Sequence, residues 1–407
     1  MKRITLFLCL VLIGAPVFAA DFGLVLDNLS GWSSFDEEPQ LQRDRATAWF
    51  STPLGANFDL HASLRLEYRL TPEPSWFGSS SFGIDVGRLE LMAIYPGNPD
   101  HPLTWSFGGG RFNYAFLGEN IFTGRLDGFK AKIDVGRATY RFALGYLGLM
   151  PKEDTRTLLS ADDVADYNDE AIFFAPPRLI AEATIMLPEL FARQDFSFGF
   201  GSQFDLRGWT SEAPSELVHT QYLSFVLGGS LGRNIFQKAH LDMGIGELGE
   251  GLFVMAAAGY AVSLFMPELA RARLELLIEY ASGNTGFLSI WRPISERQMG
   301  FVYNVSFADC LSGTLDASFT PLKSLTAGVK GSLFLRTSME ALQDTSFDTA
   351  STASYLGTEA DLYAIFKPSS DLSISASSGV FLPAAGLSYL PDASPRWLVS
   401  ATVTLSL

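Results

Sequence analysis

Cysteine is nearly absent from this 407-residue chain. Of its two cysteines, Cys9 lies in the N-terminal apolar run, which leaves Cys310 alone in the remainder and excludes an intrachain disulfide. Histidine is scarce as well. His61, His101, His219 and His240 are the only four, and no G-x-S-x-G, H-E-x-x-H, P-loop or paired-Cys motif accompanies them, so the sequence reads as a non-enzyme without cofactor or metal. Charge is sparse at 18% of residues, and 29 Lys+Arg stand against 44 Asp+Glu. No basic face is available to neutralise phosphates, which excludes nucleic acid as a partner. Long apolar runs are missing too. The best candidate, 252–266, is broken by Gly259 and Ser263 and stops at Pro267, short of the ~20 residues a spanning helix needs.

What the chain does have is apolar and glycine-rich: 47% hydrophobic residues, 13% aromatic, 37 Gly and 33 Phe. Met1-Lys2-Arg3, an apolar run from Ile4 to Gly14 and Val17-Phe18-Ala19-Ala20 read as a secretory signal peptide over 1–19, with 20–407 as one domain. Through that domain, alternation recurs. Phe58, Leu60, Ala62, Leu64, Leu66, Tyr68 and Leu70 alternate with Asp59, His61, Ser63, Arg65, Glu67 and Arg69. The same period of two returns at Phe196–Phe198–Phe200, at Ala272 to Tyr280, and from Trp397 to Leu407.

A soluble sandwich would produce any one of these strands. The ensemble has strands of about 10–14 residues with aromatic ends, which points to an all-β fold, a transmembrane antiparallel β-barrel. Short connections fall at 53–56, 135–136, 232–234, 267–269, 321–324 and 367–370; long ones fall at 30–44, 150–177, 282–298 and 337–355. Treating 301–319 as a single strand makes the lengths alternate, gives about 18 strands and puts Asp309 near the rim. A barrel of that width leaves an aqueous lumen.

Tyr355 to Leu372, with Gly357, Glu359, Asp361 and Pro368, followed by Gly379-Val-Phe-Leu-Pro383, resembles the penultimate hairpin of alginate-export-type outer-membrane porins. Arg273 to Asn284 resembles their strand ending in Ser-Gly-Asn, and Gly110-Arg111 and Arg125-Leu-Asp-Gly128 resemble their early strands. The final Leu407 departs from the aromatic end usual in such barrels. The resemblance implies an outer-membrane porin, folded by the barrel-assembly machinery into outer-membrane lipid.

Parity then assigns the lumen. Arg65, Arg69, Arg88, Lys130, Lys132 and Arg141 form an expected basic wall, and Glu275, Glu279, Glu359 and Asp361 an acidic wall roughly opposite. This mixture departs from the arginine-rich pore that the alginate exporters imply. Surplus acid falls in loops, at Asp36-Glu37-Glu38 and at Asp162, Asp163, Asp166, Asp169 and Glu170, read as solvated loop rather than a calcium site. The expectation is a monomeric porin for passive diffusion of small hydrophilic or charged solutes, saccharides included. The alternatives are a surface adhesin or structural barrel, and a hydrophobic-substrate transporter, which would need an apolar pocket or a lateral opening.

Overall fold

The computed structural model describes residues 20–34, 40–71, 79–97, 103–169, 171–209, 216–249, 251–303, 305–338 and 346–407. The expected signal peptide, His101, Glu170 and the 36–38 acidic cluster lie outside them. Eighteen strands pair antiparallel with their sequence neighbours, and β1 closes on β18. In chain order they are β1 (Asp21–Ser33), β2 (Gln40–Pro53), β3 (Phe58–Thr71), β4 (Ser79–Tyr95), β5 (Leu103–Ala115), β6 (Thr123–Val135), β7 (Ala138–Tyr146), β8 (Arg178–Phe191) and β9 (Gln194–Asp205). The second half holds β10 (Val218–Ser230), β11 (Ile235–Leu248), β12 (Gly251–Met266), β13 (Ala272–Ala281), β14 (Cys310–Leu322), β15 (Leu325–Arg336), β16 (Tyr355–Phe366), β17 (Leu372–Pro383) and β18 (Arg396–Ser406). Two short helices, α1 (Lys152–Thr155) and α2 (Ala161–Asn168), sit between β7 and β8.

Period-two alternation sets the two faces of the wall. Leu64, Leu66, Tyr68, Leu276, Ile278 and Val403 lie exposed on the outside, and the alternate charged residues face the lumen. Aromatic side chains ring the short-turn end, where Tyr95 stacks on Trp105 at 4.1 Å and Phe58 meets Tyr95 edge-on at 6.4 Å. The start of β1, the end of β18 and the short turns share that end. The two-residue turn between β6 and β7 uses Gly136 at φ 58°, a left-handed conformation that costs glycine nothing.

Two expectations need correction. Residues 301–303 and 305–308 are not strand: β14 begins at Cys310, and the described residues before it pack inside the barrel. Phe301, Tyr303 and Phe307 do share parity with Leu311 and Leu315, but an apolar face on the lumen side competes for them. Tyr303 stacks on Phe381 at 4.3 Å inside the wall, and Phe307 is buried. Asp309, expected at a rim, is buried at φ 47° and accepts hydrogen bonds from the Thr337 and Ser338 amides at 3.1 and 2.6 Å. Likewise, most of the expected 30–44 loop is strand, because β1 and β2 stay paired as far as Trp32 and Gln40.

The face assignment has a direct test. Leu315 sits mid-strand on the outer face of β14 and Thr314 on its lumen face. Leu315→Arg is expected to lose ~2–4 kcal/mol of folding free energy in lipid vesicles, and Thr314→Arg to fold near wild-type stability, read by denaturant titration.

Candidate functional site

Three connections fold inward and narrow the lumen, through residues 116–122, through 147–169 and 171–177, and through 282–303 and 305–309. They bury Phe116, Ile121, Phe122, Leu147, Trp291, Ile294 and Phe307 against inner-wall residues such as Tyr222, Met255 and Ala257. Main-chain hydrogen bonds tie them together. Ile294 and Ser295 donate to the Ile121 carbonyl at 2.7 and 3.1 Å, and Glu296 donates to the Arg156 carbonyl at 3.0 Å. Side chains add to this: Arg156 pairs with Glu296 at 2.6 Å, and Arg292 donates to the Leu159 carbonyl at 2.5 Å. The inward segments therefore support each other across the barrel as one body.

Three charged anchors hold that body to the wall. Glu359 accepts from the Phe301, Val302 and Tyr303 amides at 2.7, 3.0 and 2.5 Å. Arg297 bridges Glu279 at 2.6 Å and Asn120 at 2.7 Å, while Asn120 donates to Asp242 at 3.1 Å. At the rim, Asp163 of α2 pairs with Arg178 at 2.7 Å, both side chains being fully buried, and Arg207 joins them through Asp205 at 2.6 Å. Asp163 also completes a capping box with Ser160 at the start of α2. The acidic 162–169 segment is thus not simply a solvated loop: α2 forms because it is capped, and Asp163 is buried because a guanidinium meets it there. Among the described residues no group of acids, His or Cys is arranged to hold a metal ion. Burial lifts the Asp166 carboxyl above its ordinary range; Arg207 opposes the shift, and Asp163, Asp162 and Asp169 reinforce it.

The expected basic wall lies on adjacent strands β3, β4, β6 and β7, half a ring from β13 and β16. Its members are heavily paired. Arg65 bridges Asp85 at 3.1 Å and Asp154 at 2.6 Å; Arg69 bridges Glu67 at 3.1 Å and Glu153 at 2.8 Å. Arg88 and Lys130 share Glu90 at 2.6 and 2.7 Å. Lys132 pairs with Asp134 at 2.9 Å, while Arg141 stacks over Tyr114 and donates to the Ala115 carbonyl at 3.2 Å. On the acidic side, Glu275 pairs with Arg273 and accepts from Ser263 at 2.5 Å. Asp361 is buried two residues from Glu359, opposite Lys330. His61 contacts Ser51 at 3.0 Å on the lumen wall, as an ordinary lumen residue would.

Parity missed the rest of the site. Arg43 and Arg45 line the same cavity as Arg65 and Arg69, of about 610 Å³, together with Glu153 and Asp154 from α1. Arg111, Arg125 and Asp127 were hidden because they share phase with lipid-facing Phe107 and Phe129. The usable signal was charge in the apolar phase immediately after Gly108-Gly109-Gly110.

No protein-family model matches the chain, and no characterised protein matches it in sequence. Solved structures do match. The outer membrane protein OpdK from Pseudomonas aeruginosa superposes with a TM-score of 0.60 at 11% identity, covering 95% of this chain and 98% of that one. OpdK with vanillate gives 0.61 at 11%, over 96% and 98%. OccK7 (OpdD) from the same organism gives 0.58 at 12%, over 96% and 99%. The fold is therefore the closed 18-strand antiparallel barrel of outer-membrane porin structures. These neighbours belong to a different porin group from the alginate-export type suggested by the sequence motifs.

Because Glu359 holds the 301–303 segment, Glu359→Ala strands two buried amides and one half-buried one, each a charge-assisted bond worth ~1.5–3 kcal/mol. The expected result is faster protease cleavage within 297–305 of the folded barrel, with noisier single-channel current than wild type.

Proposed function

We propose that this protein is a passive channel of the bacterial outer membrane, admitting small hydrophilic or charged solutes without cofactor or energy coupling. One observation carries the reading: the polar interior is narrowed, but not filled, by the inward segments. It retains cavities of about 610 Å³ beside β2–β4 and about 510 Å³ beside β11–β13, both lined by charged side chains. A lipid-facing apolar exterior around such an interior is the physical design of a porin. On this reading the short turns are periplasmic, the long loops face outward, and the partners are outer-membrane lipid, the barrel-assembly machinery and the diffusing solute.

Small organic anions fit the first cavity best. Arg43, Arg45, Arg65, Arg69 and Lys152 face Glu67, Asp85, Glu153 and Asp154 there, which leaves one positive charge over. OpdK, whose fold is shared, has been solved with vanillate, an aromatic carboxylate. The finer affiliation with alginate-export porins is supported by the Gly357-x-Glu359-x-Asp361 strand and its Pro368 turn. The paired lumen suits short anions better than a polyanion.

In planar bilayers the wild-type barrel is expected to give discrete ohmic openings. In a salt gradient, Arg43→Gln with Arg69→Gln should move the reversal potential toward cation selectivity. Current that persists with an unmoved reversal potential would remove these arginines from the constriction; no conductance at all would sink the channel reading.

A further inference from the structure

The barrel wall has a seam. β4 pairs with β3 from Ser79 to Ala93, with a bulge at Gly87, but with β5 only between Leu89 and Tyr95. Meanwhile β5 and β6 stay paired as far as Ala115 and Thr123. Among the described residues, the 79–88 edge has no main-chain partner on its β5 side.

Side-chain phase shows how the two edges part. Asp85 is in phase with lumen-facing Arg65, whereas Arg111, Arg125 and Asp127 are in phase with lipid-facing Phe107 and Phe129. Yet Arg111 meets Asp85 at 3.3 Å, and Arg125 is also paired with it. An outer face can touch an inner face only where the strands overlap, so the tip of the β5–β6 hairpin has bent inside β4. Gly110, at φ 119° against the Leu89 carbonyl, permits the bend. The freed Val86 carbonyl is satisfied instead by Arg111 and Arg125, at 3.3 and 3.1 Å.

The 610 Å³ cavity runs around this free edge. Its wall includes lumen-facing Arg43, Arg69 and Asp85, and also Phe82 and Ile84 from the outer face of the same β4, which are 65% and 62% exposed. Phe173, exposed on the β7–β8 connection, completes an apolar lip. Val86 lies nine residues along β4 from Tyr95 in the aromatic ring. At ~3.3 Å per residue and ~40° tilt that is a rise of ~23 Å, so the seam opens at the outer edge of the ~25 Å apolar band, with Ile84 and Phe82 ~5 and ~10 Å further out, at the level of the outer-leaflet headgroups. Arg43 lines the lumen side of the cavity with no ion pair among the described residues. It is cross-strand to Arg69, which is cross-strand to Ser81 next to Phe82.

One cavity thus joins guanidinium groups on the water side to exposed aromatic and aliphatic side chains on the lipid side. We propose that the β4–β5 seam is a lateral port that binds a single-chain anionic amphiphile, its carboxylate on Arg43 and Arg69 and its tail leaving the lumen across Phe82 and Ile84. This goes beyond passive diffusion along the barrel axis. It also supplies the lateral opening that the sequence did not reveal.

The test uses the full-length barrel in phosphatidylcholine vesicles and dodecanoate carrying a terminal diazirine. After photolysis, adducts should concentrate on 79–88 and 171–174, be displaced by plain dodecanoate, and fall by about five-fold or more in Arg43→Gln/Arg69→Gln and in Ile84→Asp. Folding of each variant is verified by its heat-modifiable gel mobility. Adducts spread evenly over the lipid-facing strands would overturn the proposal. So would equal labelling of the seam by a diazirine-tagged uncharged alcohol of the same length, or by a tagged phospholipid. A barrel that labels at the seam but conducts no ions would refute the axial-channel reading and leave the port standing.

Discussion

Backbone hydrogen bonding in lipid is the constraint on which the rest of this structure depends. No water competes for an exposed amide in the bilayer core, so each strand must find partners on both sides and the sheet must close. The β1–β18 register, from Val25 with Ser406 to Ser33 with Leu398, meets that demand. Closure also fixes which face of every strand meets lipid, because a slip of one residue would turn Arg65 and Glu67 outward. The break at β4 shows the same rule from the other direction. Where the ladder stops, guanidinium groups take over the Val86 carbonyl and are themselves held by Asp85, Asp127 and Asp154.

The ring is too wide for its own side chains to fill, so its interior is organised by segments that leave the wall. Each brings a strip of apolar side chains: Ile121 and Phe122 from one, Trp291 and Ile294 from another. Their exposed backbone would be costly on its own. It is satisfied by pairing between the segments and by Glu359, which caps three consecutive amides at once. The buried Arg178–Asp163 pair is one edge of a cluster: Arg178 also meets Asp205 at 3.3 Å and Arg207 meets Asp163 at 3.2 Å, so each buried charge keeps two partners of opposite sign. The ion pairs thus fix where the constriction sits, and the apolar strips make it hold.

Most of the architecture was legible in the sequence because lipid imposes a strict period of two. The alternating strands, most of the short turns and the count of 18 follow from it. Where a segment has a choice of apolar surroundings, the pattern misleads. Phe301, Tyr303 and Phe307 alternate as a strand should, but the surface that buries them lies inside the barrel, and only the fold reveals it. Arg111 and Arg125 fail for the opposite reason. They break the apolar phase, and the bend that removes them from lipid depends on Gly110 closing against a neighbouring strand. Asp154 and Glu153 could not have been assigned to the basic wall at all, since a connection of some thirty residues separates β7 from β8 and nothing local says where it returns.

Pairing gives the lumen wall a particular electrostatic character. Arg43, Arg45, Arg65, Arg69, Arg88, Arg111, Arg125, Lys130 and Lys152 stand with Glu67, Asp85, Glu90, Asp127, Glu153 and Asp154 on this side of the lumen. Three positive charges remain over. An unpaired array of nine cations would bind an anion tightly and release it slowly, whereas permeation needs binding that is favourable but weak. A guanidinium engaged by one carboxylate still has donors left, because it carries five N–H groups in a fixed plane. The carboxylates therefore lower the net field of the arginines. On the proposed channel reading, with screening over ~8–10 Å, a solute would feel only the nearest of these groups and would move along the wall by exchanging one set of donors for the next.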